Sequence, residues 1–287
     1  MLIKINIKSF LKIAVTAVKS WWAKDPFMQS SVIAYYAIFS IPGLLIMVIS
    51  IANLFFQPDD ITGHLYTQIS TIMGEGTAKQ VQEMIISMTT TEKSMLGTIV
   101  GLVVVLVGAT GVFVELQKTL NIIWEVKPKS RRAIFALIRT RLFSFGLIVS
   151  VGFLLLISLV ITTLLAAFSN WVLYHWPNLV LTGFYILNFV ISFGVVMFLF
   201  SLMFKILPDT KIKWKLLWPG SILTAFLFIL GKTAIGFYLS KTNPGSAYGA
   251  AGSIVLILLW VSYSSMIFFY GAEFTRAYEN QVTGNLS

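Results

Sequence analysis

Long apolar runs alternate with short polar segments along this chain, and the runs share one length class. Leu216 to Leu239 is apolar apart from Lys232, and Ala250 to Tyr270 carries no charge before Gly271-Ala272-Glu273-Phe274-Thr275-Arg276 closes it. Each is near the ~20 apolar residues an α-helix needs to cross a hydrocarbon core of ~30 Å. Earlier runs of the same kind fall at about 31–56, 95–114, 142–168 and 179–207. The pattern predicts an all-α, polytopic integral membrane protein with six transmembrane helices. The second run is expected to continue as a helix through Glu115, Lys118 and Asn121 to Trp124.

The segments between the runs add detail. Residues 2–20 place Ile3, Ile7, Phe10, Leu11, Ala14, Val15 and Val18 at helical spacing, with Lys4, Lys8, Lys12 and Lys19 largely on the other face. This predicts an N-terminal amphipathic helix on the membrane surface, over 1–24, ending at Trp21-Trp22 at headgroup level. Lysines recur through the segment with no uninterrupted apolar core, unlike a signal peptide, so the helix is expected to be retained. Asp25-Pro26 marks a break before a six-span domain over 25–280 and a short tail over 281–287. Residues 57–94 are polar and acidic, and Val81, Met84, Ile85 and Met88 repeat at helical spacing, which predicts a short surface helix.

Composition agrees: 57% of residues are hydrophobic and 11% charged, against the roughly 25% charge of soluble domains. There is no cysteine, which excludes disulfides, thiol catalysis and cysteine metal sites. The net charge of +10 raises nucleic acid as a partner, but the placement of the cations argues otherwise. Seventeen of 21 lie in the N-terminal segment, the 2–3 and 4–5 connections or the C-terminal tail; Lys79, Lys93 and Lys241 lie on the other side, and Lys232 within a span. By the positive-inside rule both termini are expected to be cytoplasmic. The expected partners are membrane lipids, with anionic inner-leaflet headgroups attracting each cation by about 1 kcal/mol, and no nucleic acid.

Few groups could carry chemistry. His64 and His175 lie in separate connections, the 11 acids are scattered, and neither a metal-ligand spacing nor a phosphate-binding glycine loop occurs. Clustered carboxylates or histidines are what phosphodiester cleavage ordinarily requires. The expectation is therefore no catalytic residue, no metal, no cofactor and no enzyme.

Polar and backbone-breaking groups within spans are the remaining candidates, and each has two readings. Pro42-Gly43 is a packing kink, or an interrupted helix whose cavity Tyr35, Tyr36 and Ser40 line. Lys232 snorkels to outer headgroups, or is the counter-charge for an anionic substrate. The corner around Tyr248, Gly249 and Gly252 is a small-xxx-small packing motif over Gly245, Gly249 and Ser253, or an irregular mouth that meets substrate. Glu115 and Glu273 read as structural ion pairs with a nearby cation such as Lys118 or Arg276.

Several blocks carry a resemblance. Tyr248-Gly249-Ala250-Ala251-Gly252-Ser253, Trp260 and Gly271-Ala272-Glu273, preceded by Leu207-Pro208-Asp209 and Gly231-Lys232, resemble the C-terminal signature of the YihY/virulence factor BrkB family. Ala34-Tyr35-Tyr36-Ala37-Ile38-Phe39-Ser40-Ile41-Pro42 resembles its N-terminal signature, and Leu120-Asn121-Ile122-Ile123-Trp124 the segment after its second span. The likeness runs from about Trp21 to Asn280. It implies a polytopic protein of the bacterial inner membrane. The family has carried the label ribonuclease BN, which the residues above do not support. The expected function is that of a transporter or lipid-translocating protein acting on an anionic or amphiphilic substrate. The alternative is a non-transporting scaffold for envelope assembly or integrity.

Overall fold

A computed structural model describes residues 7–52, 66, 82, 95–126, 180–242 and 252–284. The described residues contain no strand, and six long helices account for nearly all of them. These are α1 (Ile7–Trp22), α2 (Pro26–Ala52), α3 (Met95–Ile123), α4 (Val180–Ile206), α5 (Trp214–Thr242) and α6 (Gly252–Thr283). Segments of α4, α5 and α6, namely Phe189–Ile206, Trp214–Ile235 and Ile257–Thr283, are long and apolar enough to cross a membrane. The expected surface helix near 77–88, the basic loop at 127–141, the span at about 142–168, and Tyr248 and Gly249 lie outside the described residues.

Helix boundaries follow local chemistry. Asp25 takes a left-handed conformation, φ 49°, between α1 and α2, and Pro26 opens α2, where its missing N–H costs nothing. The amide of Gln29 then donates to the Asp25 carbonyl at 3.2 Å. α2 therefore begins five residues before the apolar run at 31. It passes through Pro42-Gly43 as one helix, which removes the interrupted-helix reading of that pair. α6 runs on past Tyr270 to Thr283, into the segment expected to be a tail.

The chain forms two compact units. One comprises Met1–Ala17, Leu120–Phe226 and Gly271–Ser287; the other comprises Val18–Thr119 and Leu227–Tyr270.

In the first unit, α5 and α6 meet through two identical motifs, Gly220-x-x-x-Thr224 and Gly271-x-x-x-Thr275. A methyl group added at Gly220 would lie 1.8 Å from Thr275 Oγ1, and one at Gly271 would lie 1.7 Å from Thr224 Oγ1. Each helix thus receives the other's threonine where it has no side chain of its own. Both threonines are fully buried, and each hydroxyl donates to the carbonyl four residues back: Thr224 to Gly220 and Thr275 to Gly271, both at 2.7 Å. The hydroxyls are satisfied within their own helices, so the close approach leaves no polar cost behind. Phe274 beside Phe10 at 5.4 Å, and Phe204 beside Trp124 at 6.4 Å, continue this core.

Small residues serve the second unit in the same way. Gly111 of α3 faces the Tyr36 ring, which an added methyl would approach to 2.4 Å, and Gly108 lies against the α2 backbone at Tyr36 to Ser40. Trp21 at the end of α1 donates its indole N–H to the Met266 carbonyl at 3.1 Å and meets Tyr270 edge-on at 6.1 Å.

Gly271→Ala is expected to lower stability in detergent by about 3 kcal/mol or to prevent folding, the range seen when a packed site is overfilled. Gly271→Ala combined with Thr224→Ala is expected to recover part of that loss. Thermal unfolding of the two variants followed by circular dichroism checks this; equal stability of the single variant and the parent would contradict the contact.

Candidate functional site

The wheel of α5 separates two faces. Trp218, Ile222, Phe226, Leu230 and Phe237 are exposed, and they recur every four residues as one stripe until a larger step at the end. Leu217, Ser221, Thr224, Ala225 and Ile235 are buried on the opposite side. Lys232 belongs to this second side, four residues after Phe228 and three before Ile235, and is half-buried. A lysine serving only to snorkel would stand on the exposed stripe. This one is placed among packing residues.

The facing segment of α6 belongs to the same unit and supplies an aromatic wall. Trp260 meets Phe228 edge-on at 5.7 Å, and Trp260 and Tyr263 pack against Ile235. The Tyr263 hydroxyl rests on the α5 backbone: a methyl group added at Gly231, the residue before Lys232, would lie 1.8 Å from it. Gly231 therefore admits a phenol hydroxyl beside the lysine. The neighbouring Ser264 hydroxyl is buried and makes no hydrogen bond among the described residues. A cation on α5 thus follows directly on the residue where the Tyr263 phenol of α6 rests, near the Trp260–Phe228 ring contact. A cation and a phenol can take an anionic group, the ammonium supplying charge and the hydroxyl a directed donor. Among the described residues no group of three or more acids or histidines is placed to hold a metal ion.

The other candidates fall elsewhere. Tyr36 packs on Gly111, and Ser40 donates to the Ala37 carbonyl at 3.2 Å, so both serve the α2–α3 contact. Tyr35 is 59% exposed, edge-on to Tyr36 and Phe39. No described ring contact or hydrogen bond joins these three to Lys232. Pro42 and Gly43 lie inside α2, and Gly252 is the first residue of α6. Glu115 and Lys118 form an ion pair at 3.1 Å, one helical turn apart. Glu273 is 3% exposed and is not without a partner. Arg276 pairs with Glu125 at 2.7 Å and also donates to the Ile123 carbonyl.

That last pair belongs to a polar cluster in the first unit that sequence reasoning did not assemble. α3 ends in a Schellman motif: the Val126 amide donates to the Asn121 carbonyl at 2.9 Å, and the Glu125 amide to Ile122 at 3.2 Å. Glu125 occupies the left-handed position, φ 51°, where glycine is the ordinary choice. Asn121 bonds Asp209 twice: its amide nitrogen donates to Oδ2 at 3.0 Å, and its carbonyl oxygen accepts from the Asp209 amide at 2.8 Å. The Trp124 indole donates to Glu279 at 3.3 Å, and Lys205 donates to the Ile212 carbonyl. The connection from Leu207 to Lys213 is consequently fixed at both ends, with Leu207, Pro208 and Ile212 buried. The adjacent Leu207-Pro208-Asp209 and Leu120-Asn121 blocks were the available signal, but their separation by 88 residues gave no hint of contact.

Long apolar helices and glycine-mediated crossings define a helical membrane protein. The sequence matches the Virulence factor BrkB family over residues 17–287, and the chain belongs to that family. It is similar to the UPF0761 membrane protein of Haemophilus influenzae strain 86-028NP, 26% identical over 84% of this chain and 85% of the relative. The corresponding protein of Aggregatibacter aphrophilus is 28% identical over 84% of this chain and 82% of its own length. That of Pseudomonas aeruginosa is 27% identical over 85% of this chain and 57% of its own. No solved structure matches the chain.

Asn121→Ala is expected to cost about 1–3 kcal/mol, since it removes two hydrogen bonds, one of them to a charged group. Glu125→Gly is expected to be about 1 kcal/mol more stable than Glu125→Ala, because both lose a largely exposed ion pair and only glycine relieves the left-handed backbone. Denaturation midpoints of the purified variants decide both; an Ala variant as stable as the Gly variant would remove the strain argument.

Proposed function

We propose that this protein crosses the bacterial cytoplasmic membrane six times, with both termini in the cytoplasm, and carries an anionic amphiphile across it without catalysing a reaction. The single observation behind the transport reading is Lys232, set on the packed face of α5 next to Gly231, on which the Tyr263 hydroxyl rests. Lysines within spans are rare and ordinarily face a protein interior or a cavity, so the placement of this one on an inward face favours a role in binding. Its ammonium would meet the phosphate or carboxylate of the substrate, with Trp260 and Phe228 against the apolar part. The topology rests on the seventeen-to-three distribution of cations between the two sides.

The reading of a non-transporting scaffold is favoured by one observation, the cluster joining Asn121, Asp209, Glu125, Arg276, Trp124 and Glu279. It holds polar surface in a fixed arrangement suited to a partner.

Flux separates the two. Purified protein in liposomes is expected to translocate a fluorescent anionic phospholipid, and Lys232→Ala to slow it about tenfold, the worth of one charge-assisted hydrogen bond. Lys232→Arg, which keeps the charge, is expected to retain part of the rate. Equal rates for parent and Lys232→Ala, with folding intact by circular dichroism, would dismiss Lys232 as a substrate group. Parent protein inactive on lipids and anionic solutes alike would leave the scaffold.

A further inference from the structure

α1 presents three surfaces. Ile13 and Ala17 are buried. Leu11, Val15, Val18 and Trp22 are all exposed, and at about 100° per residue they share an arc of about 60°. Lys12 and Lys19, also exposed, lie together along one border of that arc, on the side toward Thr16. An apolar stripe edged by cations is the pattern of a helix lying at a lipid interface.

At Lys12 the border meets a shallow surface cleft with room for little more than a single oxygen. Lys12, Ile13 and Thr16 of α1 line it together with Ala277 and Gln281 of α6, all within the first unit. Among the described residues Lys12, Thr16 and Gln281 have no ion pair or side-chain hydrogen bond. One ammonium, one hydroxyl and one amide are thus available at the edge of an apolar stripe. Phosphodiester oxygens accept from all three donor types, and the stripe is where an acyl chain would lie.

We infer that the α1–α6 cleft binds the headgroup phosphate of an anionic phospholipid, with the acyl chains against Leu11 and Val15. The charge is complementary: Lys12 stands at the cleft and Lys19 farther along the same border. This site is distinct from Lys232, and it requires only that the protein resides in a membrane.

The test uses the full chain in detergent with equal amounts of phosphatidylglycerol and phosphatidylcholine, with bound lipid counted by native mass spectrometry. The parent is expected to retain phosphatidylglycerol preferentially. Lys12→Ala is expected to weaken that retention about fivefold, the worth of one cation near an anionic headgroup. Gln281→Ala is expected to weaken it less, and Lys211→Ala, which removes an exposed cation from the connection before α5, is expected to weaken it clearly less than Lys12→Ala. Equal retention of both lipids by the parent would overturn the site. So would a loss in Lys211→Ala as large as in Lys12→Ala, which would assign binding to net charge. The stripe has its own readout, since the chain has no cysteine and Val15→Cys can be spin-labelled alone. In liposomes that label is expected to be more accessible to oxygen than to a water-soluble nickel chelate, and the reverse order would place α1 in water and overturn the lipid contact.

Discussion

The reciprocal seating of Thr224 on Gly271 and Thr275 on Gly220 is the contact on which the packing of the first unit depends. Inside a bilayer, two apolar helices gain nothing from leaving lipid for each other, because lipid tails are as apolar as leucine. What remains is dispersion between surfaces that approach closely. Glycine on each helix admits the other helix at the needed distance, and threonine fills the opposite hollow. Had the hydroxyls bonded across the interface, each helix would need its partner to satisfy them. Bonding to the carbonyl four residues back leaves each helix complete in itself, and the crossing is then a matter of shape.

The same unit closes with polar contacts. Gly271 and Thr275 lie about two turns and one turn before Glu279, which accepts from Trp124, and Arg276 follows Thr275 directly. The helix that makes the glycine contact therefore also carries the partners of the α3 terminus. Because α3 ends at Ile123 with Asn121 held to Asp209, the connection before α5 is held while α5 begins its approach to α6. Placing Glu125 where glycine is ordinary costs about 1 kcal/mol of backbone strain. It gains a carboxylate that reaches Arg276.

The helices were legible because their physical cause is local. A run of some twenty apolar residues needs no partner to be read as a span, and α5 at Trp214–Thr242 lies where the run 216–239 put it. The end of α6 was less legible, since Glu273, Arg276 and Glu279 look like the start of a solvated tail. The Arg276 guanidinium and the Glu279 carboxylate are instead held by other segments, and the helix continues to Thr283. Pairings were not legible at all. Gly271 stood out only as part of the Gly271-Ala272-Glu273 block of the family resemblance, and nothing in spacing says that Gly271 and Thr275 meet a second copy of the same motif at Gly220 and Thr224. Arg276 offered Glu273 as its neighbour one turn away, and its pairing with Glu125, far along the chain, could not be read from spacing.

Lys232 shows where the two kinds of information meet. From sequence it was a single cation sixteen residues into a span, open to either snorkelling or binding. The helical wheel alone narrows this, because Trp218, Ile222, Phe226 and Leu230 define the exposed stripe and Lys232 falls off it. Packing supplies the rest: Gly231 can accept the Tyr263 hydroxyl only because it lacks a side chain, so the phenol is drawn to the turn that carries the lysine. A purely structural α5 would place an apolar residue at 232, where the flanking contacts with Ile235, Trp260 and Tyr263 are already apolar or aromatic. An ammonium among such contacts is a departure from apolar packing, and it is that departure on which the proposed anion-binding role of Lys232 rests.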